Sequence, residues 1–217
     1  VGEDWLAGLR EHFADQQVQL VFGAVKMQGK TFFATIQAIE FLSLIGSGAA
    51  TAALGFPTMC NGANLAFRKS AFESVNGYHG NLHIPSGDDE FLMKKILRRY
   101  FGGIKFAADP RTIVTTLPNV DLKQFIHQRV RWAGKWKLQQ SYDSKALAIF
   151  VFCFQCAVIL LPLGLLLQWI SLTSGLIVWS LKIILEYIFL WRIGLHLNVA
   201  WSWRAFILLQ LIYPFYV

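Results

Sequence analysis

The chain has 217 residues, of which 55% are hydrophobic, 15% aromatic and 15% charged, with a formal net charge of +7. A mean hydropathy of +0.44 excludes a disordered or collagen-like polymer, because such chains lack the apolar surface that drives burial. Charge is unevenly spread. Beyond Lys145 the charged residues are Lys182, Glu186, Arg192 and Arg204, so the two parts of the chain are built for different solvents.

Trp5, Leu6, Leu9 and Phe13 recur at helical spacing behind Glu3 and Asp4, whose charge suits a helix start. VQLVFGAVKM follows, β-branched and aromatic, and reads as one buried strand. Helix then strand points to the α/β class. The first residues carry acids and no apolar core, unlike a secretory signal. Residues 31–56 are apolar with Glu40 as their one charge, which predicts a long helix lying on a membrane surface. The alternative is a membrane span, against which Glu40, Ser43, Gly46 and Gly48 count. Pro57 ends the segment.

NGANLAF predicts a turn and a short strand, and Ser70 with Glu73 predicts a capping box on a short helix stopped at Asn76-Gly77. Another helix is expected from Ser86-Gly87-Asp88-Asp89-Glu90 to Gly102-Gly103. IKFAA and TIVTT read as strands on either side of Asp109-Pro110, and a basic helix starts near Asp121. After Lys145 more than twenty residues carry no charge, enough to span hydrocarbon. LIVWSLKIILEYIFLW is a second span, with Lys182 and Glu186 four residues apart on one face, and a third begins near Ala205 and is cut off. The loop at 171–174 is uncharged, whereas Arg192, His196 and Arg204 flank the next one. The positive-inside rule then puts that second loop and the basic first part on the cytoplasmic side. Cys60, Cys153 and Cys156 lack the spacing of a disulfide framework or zinc site, and the latter two read as small apolar residues of a span.

Two constellations can carry chemistry. Asp88, Asp89 and Glu90 form the densest acid cluster, suited to a general base or metal ligand, and equally to complementing a helix dipole with a Ser86/Asp89 capping box. Gln128, Arg131, Trp132 and Lys135 fall along one helical face, suited to a phosphate-bearing ligand with a stacking surface. The same helix also suits an interfacial anchor, with Arg129, Lys135 and Lys137 on lipid phosphates and Trp132 and Trp136 at headgroup level.

Taken together, CNGANLAFRKSAFESVNGY, SGDDEFLMKKI and QRVRW, followed at once by spanning helices, resemble the second half of a membrane-bound family 2 glycosyltransferase. That family includes cellulose, chitin and hyaluronan synthases and the ceramide glucosyltransferases. The resemblance covers nearly the whole chain. It implies a partial GT-A type α/β domain at residues 1–144 and a transmembrane region at 145–217, with two complete spans and a truncated third. It implies an inverting transfer from a nucleotide sugar, UDP-linked, to a lipid or polysaccharide acceptor at the cytoplasmic face of a multi-pass membrane protein, as in a bacterial inner membrane. Membrane lipids are partners and nucleic acid is not.

By the same resemblance Asp89 is the catalytic base and Asp88 its support. Gln128 and Arg131 face the donor diphosphate, Trp132 lies at the acceptor, and Arg129, Asn61 and Gly62 belong to the substrate-binding set. A divalent cation, magnesium or manganese, is implied as cofactor, but the family's Asp-x-Asp that holds it occurs nowhere in this sequence. The chain therefore reads as a C-terminal fragment, with its strand at 18–25 expected at an open sheet edge. The reading from another class is a non-catalytic transporter or assembly subunit working through Lys182 and Glu186.

Overall fold

The computed structural model describes residues 1–80, 86–134 and 141–216. In chain order the elements are α1 (Trp5–Glu11), β1 (Leu20–Gly23), β2 (Val25–Met27), α2 (Phe32–Ala53), β3 (Leu65–Phe67), α3 (Lys69–Ser74), α4 (Asp88–Arg99), β4 (Ile104–Ala107), β5 (Val114–Thr116), α5 (Leu122–Gly134), α6 (Tyr142–Leu166), α7 (Leu172–Leu197) and α8 (Trp203–Ile212). Strands and helices alternate through the first part, and helices alone make up the rest. This agrees with the α/β expectation followed by a helical region.

The apolar run from Val18 is two strands, not one. β1 pairs antiparallel with β3 and parallel with β4, while β2 pairs parallel with β5 in a separate ladder. β1 is thus the centre of its sheet and not the expected open edge, because β3 and β4 supply both partners from within the chain. The split falls at Ala24, where Asp109, Pro110 and Arg111 interrupt the neighbouring strand between β4 and β5, although the Ala24 carbonyl still accepts the Val114 N–H at 3.0 Å.

Asn64 fills that breach. It is fully buried, its amide donates to the Ala24 and Thr112 carbonyls at 2.8 Å each, and its Oδ1 accepts the Trp5 indole N–H at 3.1 Å. Gly23 lets it approach, since a Cβ there would stand 2.4 Å from Nδ2. Asn64→Leu leaves these buried groups without their side-chain partner, at about 1–3 kcal/mol for each one unsatisfied. The expected result is a clear drop in the melting temperature of the purified protein.

α2 begins at a Thr31 cap whose side chain accepts from the Ala34 amide at 3.1 Å. It lies between the strands and the last helices. Ala38, Ile39, Phe41, Leu42 and Ile45 share one core cluster with Val25 and Met27 on one side and with Leu190, Phe206 and Leu209 on the other. Near its end Ala52 joins a second cluster built from Phe22, Leu92, Met93 and Ile96. Gly46 is part of this packing, because a Cβ there would stand 2.6 Å from the Phe189 ring. Small residues that count against a span in the sequence serve here to bring two helices close.

α2 and α6 are the two described helices long and apolar enough to cross a membrane by the measure of length and composition. Their surroundings differ. About 56% of the most apolar stretch of α2 is buried against the rest of the chain, against 6% for α6. On α6 the large residues Phe150, Phe152, Leu160 and Leu163 stand exposed.

α7 runs unbroken for 26 residues from a Ser171 cap to Asn198, which takes the left-handed conformation at φ 52°. Ser171 to Ser174 therefore belongs mostly to the helix start, and the turn between α6 and α7 is the preceding 167–170 segment. At its other end His196 Nε2 lies 2.7 Å from the Ala108 carbonyl oxygen, so this end of α7 touches the strand region.

Two expected caps are absent. Arg68 and Gly87 occupy the cap positions of α3 and α4 and neither makes a side-chain capping bond, so Ser70/Glu73 and Ser86/Asp89 form no capping boxes. In both cases the helix begins one or two residues away from where the pattern needs it, and Asp89 bonds elsewhere.

Candidate functional site

Gly87 is left-handed at φ 91°, and this turn launches α4 with Asp88, Asp89 and Glu90 in its first turn. Asp88 is exposed, Asp89 half-buried and Glu90 buried. Asp89 is held on both oxygens: Oδ2 accepts the Gly62 backbone N–H at 2.6 Å and Oδ1 accepts the Glu90 N–H at 2.8 Å. Gly62 stands in that place because Asn61 Oδ1 caps a short 3-10 turn, Gly62–Asn64, by accepting the Ala63 N–H at 2.9 Å. The NG pair thus positions the aspartate from a distant part of the chain. A side chain at residue 62 would crowd it, since a Cβ there lies 3.3 Å from Asp89 Oδ2.

The loop leading into this turn is fastened from two sides. Lys94 of α4 donates to the Pro57 carbonyl, and Ser144 of α6 donates to the Thr58 carbonyl at 3.0 Å. Burial lowers the Lys94 ammonium below the usual lysine value, opposed by the attraction of Glu90. Burial raises the nearby Tyr78 hydroxyl above its ordinary value, and the charges of Asp88 and Asp89 add to that effect.

A cavity of about 850 Å³ opens at the acid cluster. Asn61, Gly87, Asp88, Asp89, Arg131 and Trp132 line one end. From there it runs between α2, α6, α7 and α8, past Phe150, Phe154, Phe189 and Leu190, to Lys182, Glu186 and Gln210. Lys182 and Glu186 pair at 2.9 Å as their spacing predicts, and Gln210 joins them by accepting from Lys182 and donating to Glu186 at 2.8 Å.

Gln128 and Arg129 are held outside this cavity. Arg129 points to α2, where it pairs with Glu40; the two side chains are 14% and 5% exposed. Its guanidinium lies between the rings of Phe125 and Trp132, 4.5 Å from each centroid. An arginine so enclosed does not reach lipid phosphates, which corrects the anchor reading for this residue. Lys135, Trp136 and Lys137 lie outside the described residues. Gln128 Oε1 accepts from the Asn119 side-chain amide at 3.0 Å, and Asn119 is in turn bound to Gln37 of α2 through its backbone N–H, carbonyl and side chain.

Sequence pattern does not mark Gln37, Glu40 or Asn119 as site residues. Glu40 carried a signal, being the lone charge in an apolar stretch. Gln37 and Asn119 carried none, because their contact spans 82 positions.

The described residues bring no three His, Cys, Asp or Glu side chains together in a way that could hold a metal ion.

Asp89, Arg131 and Trp132 thus line one cavity together with apolar side chains of α2, α6 and α7. The chain belongs to glycosyl transferase family 21, whose sequence model matches residues 1–217. It is a glycosyltransferase by family, which agrees with the coarser part of the sequence expectation. No curated protein matches the chain.

Proposed function

We propose that this chain carries the acceptor side of an inverting, nucleotide-sugar-dependent glycosyltransferase whose acceptor is an amphiphile drawn from the membrane. The observation that carries the reading is Asp89, bonded to the Gly62 and Glu90 amides at the mouth of a cavity that continues between apolar helices. Asp89 takes the proton of the acceptor hydroxyl as that oxygen attacks the anomeric carbon, opposite the departing diphosphate. Its two backbone bonds fix its direction, so little reorganisation is needed in the transition state. Asp88, exposed beside it, orients the acceptor.

Arg131 faces the cavity and offsets the charge that grows on the diphosphate as the glycosidic bond breaks. Trp132 forms the wall against which the acceptor stacks. Gln128, whose carbonyl oxygen accepts from Asn119, holds α5 in place from outside the cavity. Arg129 serves as a positioning residue: paired with Glu40, it fastens α5 to α2.

α6 and α7 cross the bilayer in this reading, α2 lies along its surface, and the acid cluster faces cytosolic sugar nucleotides. Support for the orientation comes from His196, which ties the end of α7 to Ala108. A tag inserted between Arg192 and Arg204 of the full-length protein is expected on the same side as the α/β part. Labelling of that tag from outside intact cells overturns the topology. The reading as a whole is tested by sugar transfer: membranes containing the full-length protein are supplied with labelled nucleotide sugars. Label is expected in a lipid extract, and label confined to polysaccharide or absent from both fractions defeats the proposal.

A further inference from the structure

α5 carries Arg131 and Trp132 to the cavity, yet it has little apolar hold on the rest of the chain. Phe125 is its one buried residue among those described. Burial has no direction, so a helix anchored this lightly takes its orientation from hydrogen bonds. Those bonds converge on Gln37 of α2, which is fully buried.

Gln37 pairs with Asn119 as one strand pairs with another. Its Nε2 donates to the Asn119 carbonyl at 3.0 Å, and its Oε1 accepts the Asn119 backbone N–H at 2.9 Å. A backbone N–H can only donate and a carbonyl can only accept, so these two bonds fix which way round the Gln37 amide lies. Oε1 then also accepts from the Asn119 side-chain amide at 2.9 Å, and the same amide donates to Gln128 Oε1 at 3.0 Å. A leucine at residue 37 offers none of these bonds.

The relay grips α5 at two points. Asn119 stands just before Asp121, whose Oδ1 accepts the Gln124 N–H at 2.8 Å at the helix start, and Gln128 lies at the middle of the helix. Grips nine positions apart fix both the rise and the rotation of α5. A slip of one residue turns a helix by about 100°, which carries Arg131 away from the wall that it lines. The contacts of Phe33 with Phe125, Glu40 with Arg129 and Phe41 with Trp132 join the same two helices, so they need the register that Gln37 sets.

We propose that Gln37 and Asn119 are positioning residues of the transfer, setting the rotation of α5 so that Arg131 meets the diphosphate. Neither lines the cavity, so both act through Arg131 and not on substrate. The inference rests on the reading of Arg131 as the residue that offsets the leaving charge, and it adds what places that residue.

The test is a double-mutant cycle on turnover, with purified full-length protein in nanodiscs of host membrane lipids and labelled nucleotide sugars. Gln37→Leu is expected to lower kcat per folded molecule at least about tenfold, the direction and scale of a small misplacement. In the Arg131→Ala background the same substitution is expected to cost less than about twofold, because the residue through which it acts is gone. Thermal melting supplies the contrast: the loss of stability from Gln37→Leu is expected to be the same in both backgrounds. The cycle is run on Arg131→Lys if Arg131→Ala has no measurable turnover. Asn119→Ala keeps the backbone bonds to Gln37 and loses the link to Gln128, and it takes the place of Gln37→Leu if that variant does not fold.

An unchanged kcat per folded molecule overturns the proposal, since a merely structural role alters only how much protein folds. Equal losses of turnover in both backgrounds overturn it too, and leave the glycosyltransfer reading standing. A parent that transfers no sugar defeats that reading, and this inference with it.

Discussion

Replacing Asp89 by Asn in the full-length protein is expected to reduce turnover at least about a hundredfold, the usual scale for loss of a general base, with the affinity for the nucleotide sugar nearly unchanged. The substitution keeps size and shape. An asparagine can still accept the Gly62 N–H with its carbonyl oxygen, so the contact at 2.6 Å that joins the turn to α4 can survive. What is lost is basicity, and the expected signature is a fall in kcat with little movement of the donor KM. Asp88→Asn is expected to cost less, because Asp88 is exposed and makes no bond to the turn that holds its neighbour. If Asp88→Asn abolishes turnover and Asp89→Asn does not, the base is assigned one residue off. Gly62→Val gives an independent check on positioning. Its added carbons crowd the Asp89 carboxylate, so it is expected to lower kcat while the chain remains folded.

Glu40→Ala is expected to destabilise the protein by about 3–5 kcal/mol, the range for breaking a buried ion pair by removing one partner. The reason is what remains. Arg129 stays enclosed by Phe125, Trp132 and α2 with its charge uncompensated, and Arg129 Nε already lacks a partner in the parent. Glu40→Leu combined with Arg129→Leu removes both charges, and thermal melting is expected to recover most of the loss, since an apolar pair can replace a buried ion pair at little cost. Turnover separates the two roles of Arg129. If it acts by positioning, kcat recovers along with stability in the double variant. A stable but inactive double variant instead means that Arg129 touches substrate, as the sequence resemblance implies.

The same pair explains how α5 comes to its place. In sequence, Gln128 to Trp132 reads as one functional face. In the structure the neighbouring side chains divide: Arg131 and Trp132 line the cavity, whereas Gln128 and Arg129 bind Asn119 and α2. Periodicity places residues around a helix but does not say which direction meets substrate and which meets another helix.

Several features were legible from sequence alone. The uneven distribution of charge separated the α/β part from the helical part. The acid cluster at the start of α4, the NG turn, the Lys182 and Glu186 contact and the uncharged α6 were all marked by residue type and spacing. These are local properties, set by helix geometry, turn chemistry and the cost of charge in hydrocarbon. Tertiary structure alone decided the rest. It divided one apolar run into β1 and β2, because pairing depends on strands that lie up to 89 positions away. It put Asn64 in the resulting breach, gave the lone Glu40 its arginine across 89 positions, and bound Asp89 to Gly62 across 27. Most consequential for function, it joined the acid cluster and the polar pair on α7 in one cavity. That union follows from the packing of α2 between the strands and the last helices. It cannot be read from the composition of any one segment, since burial is a property of what surrounds a residue.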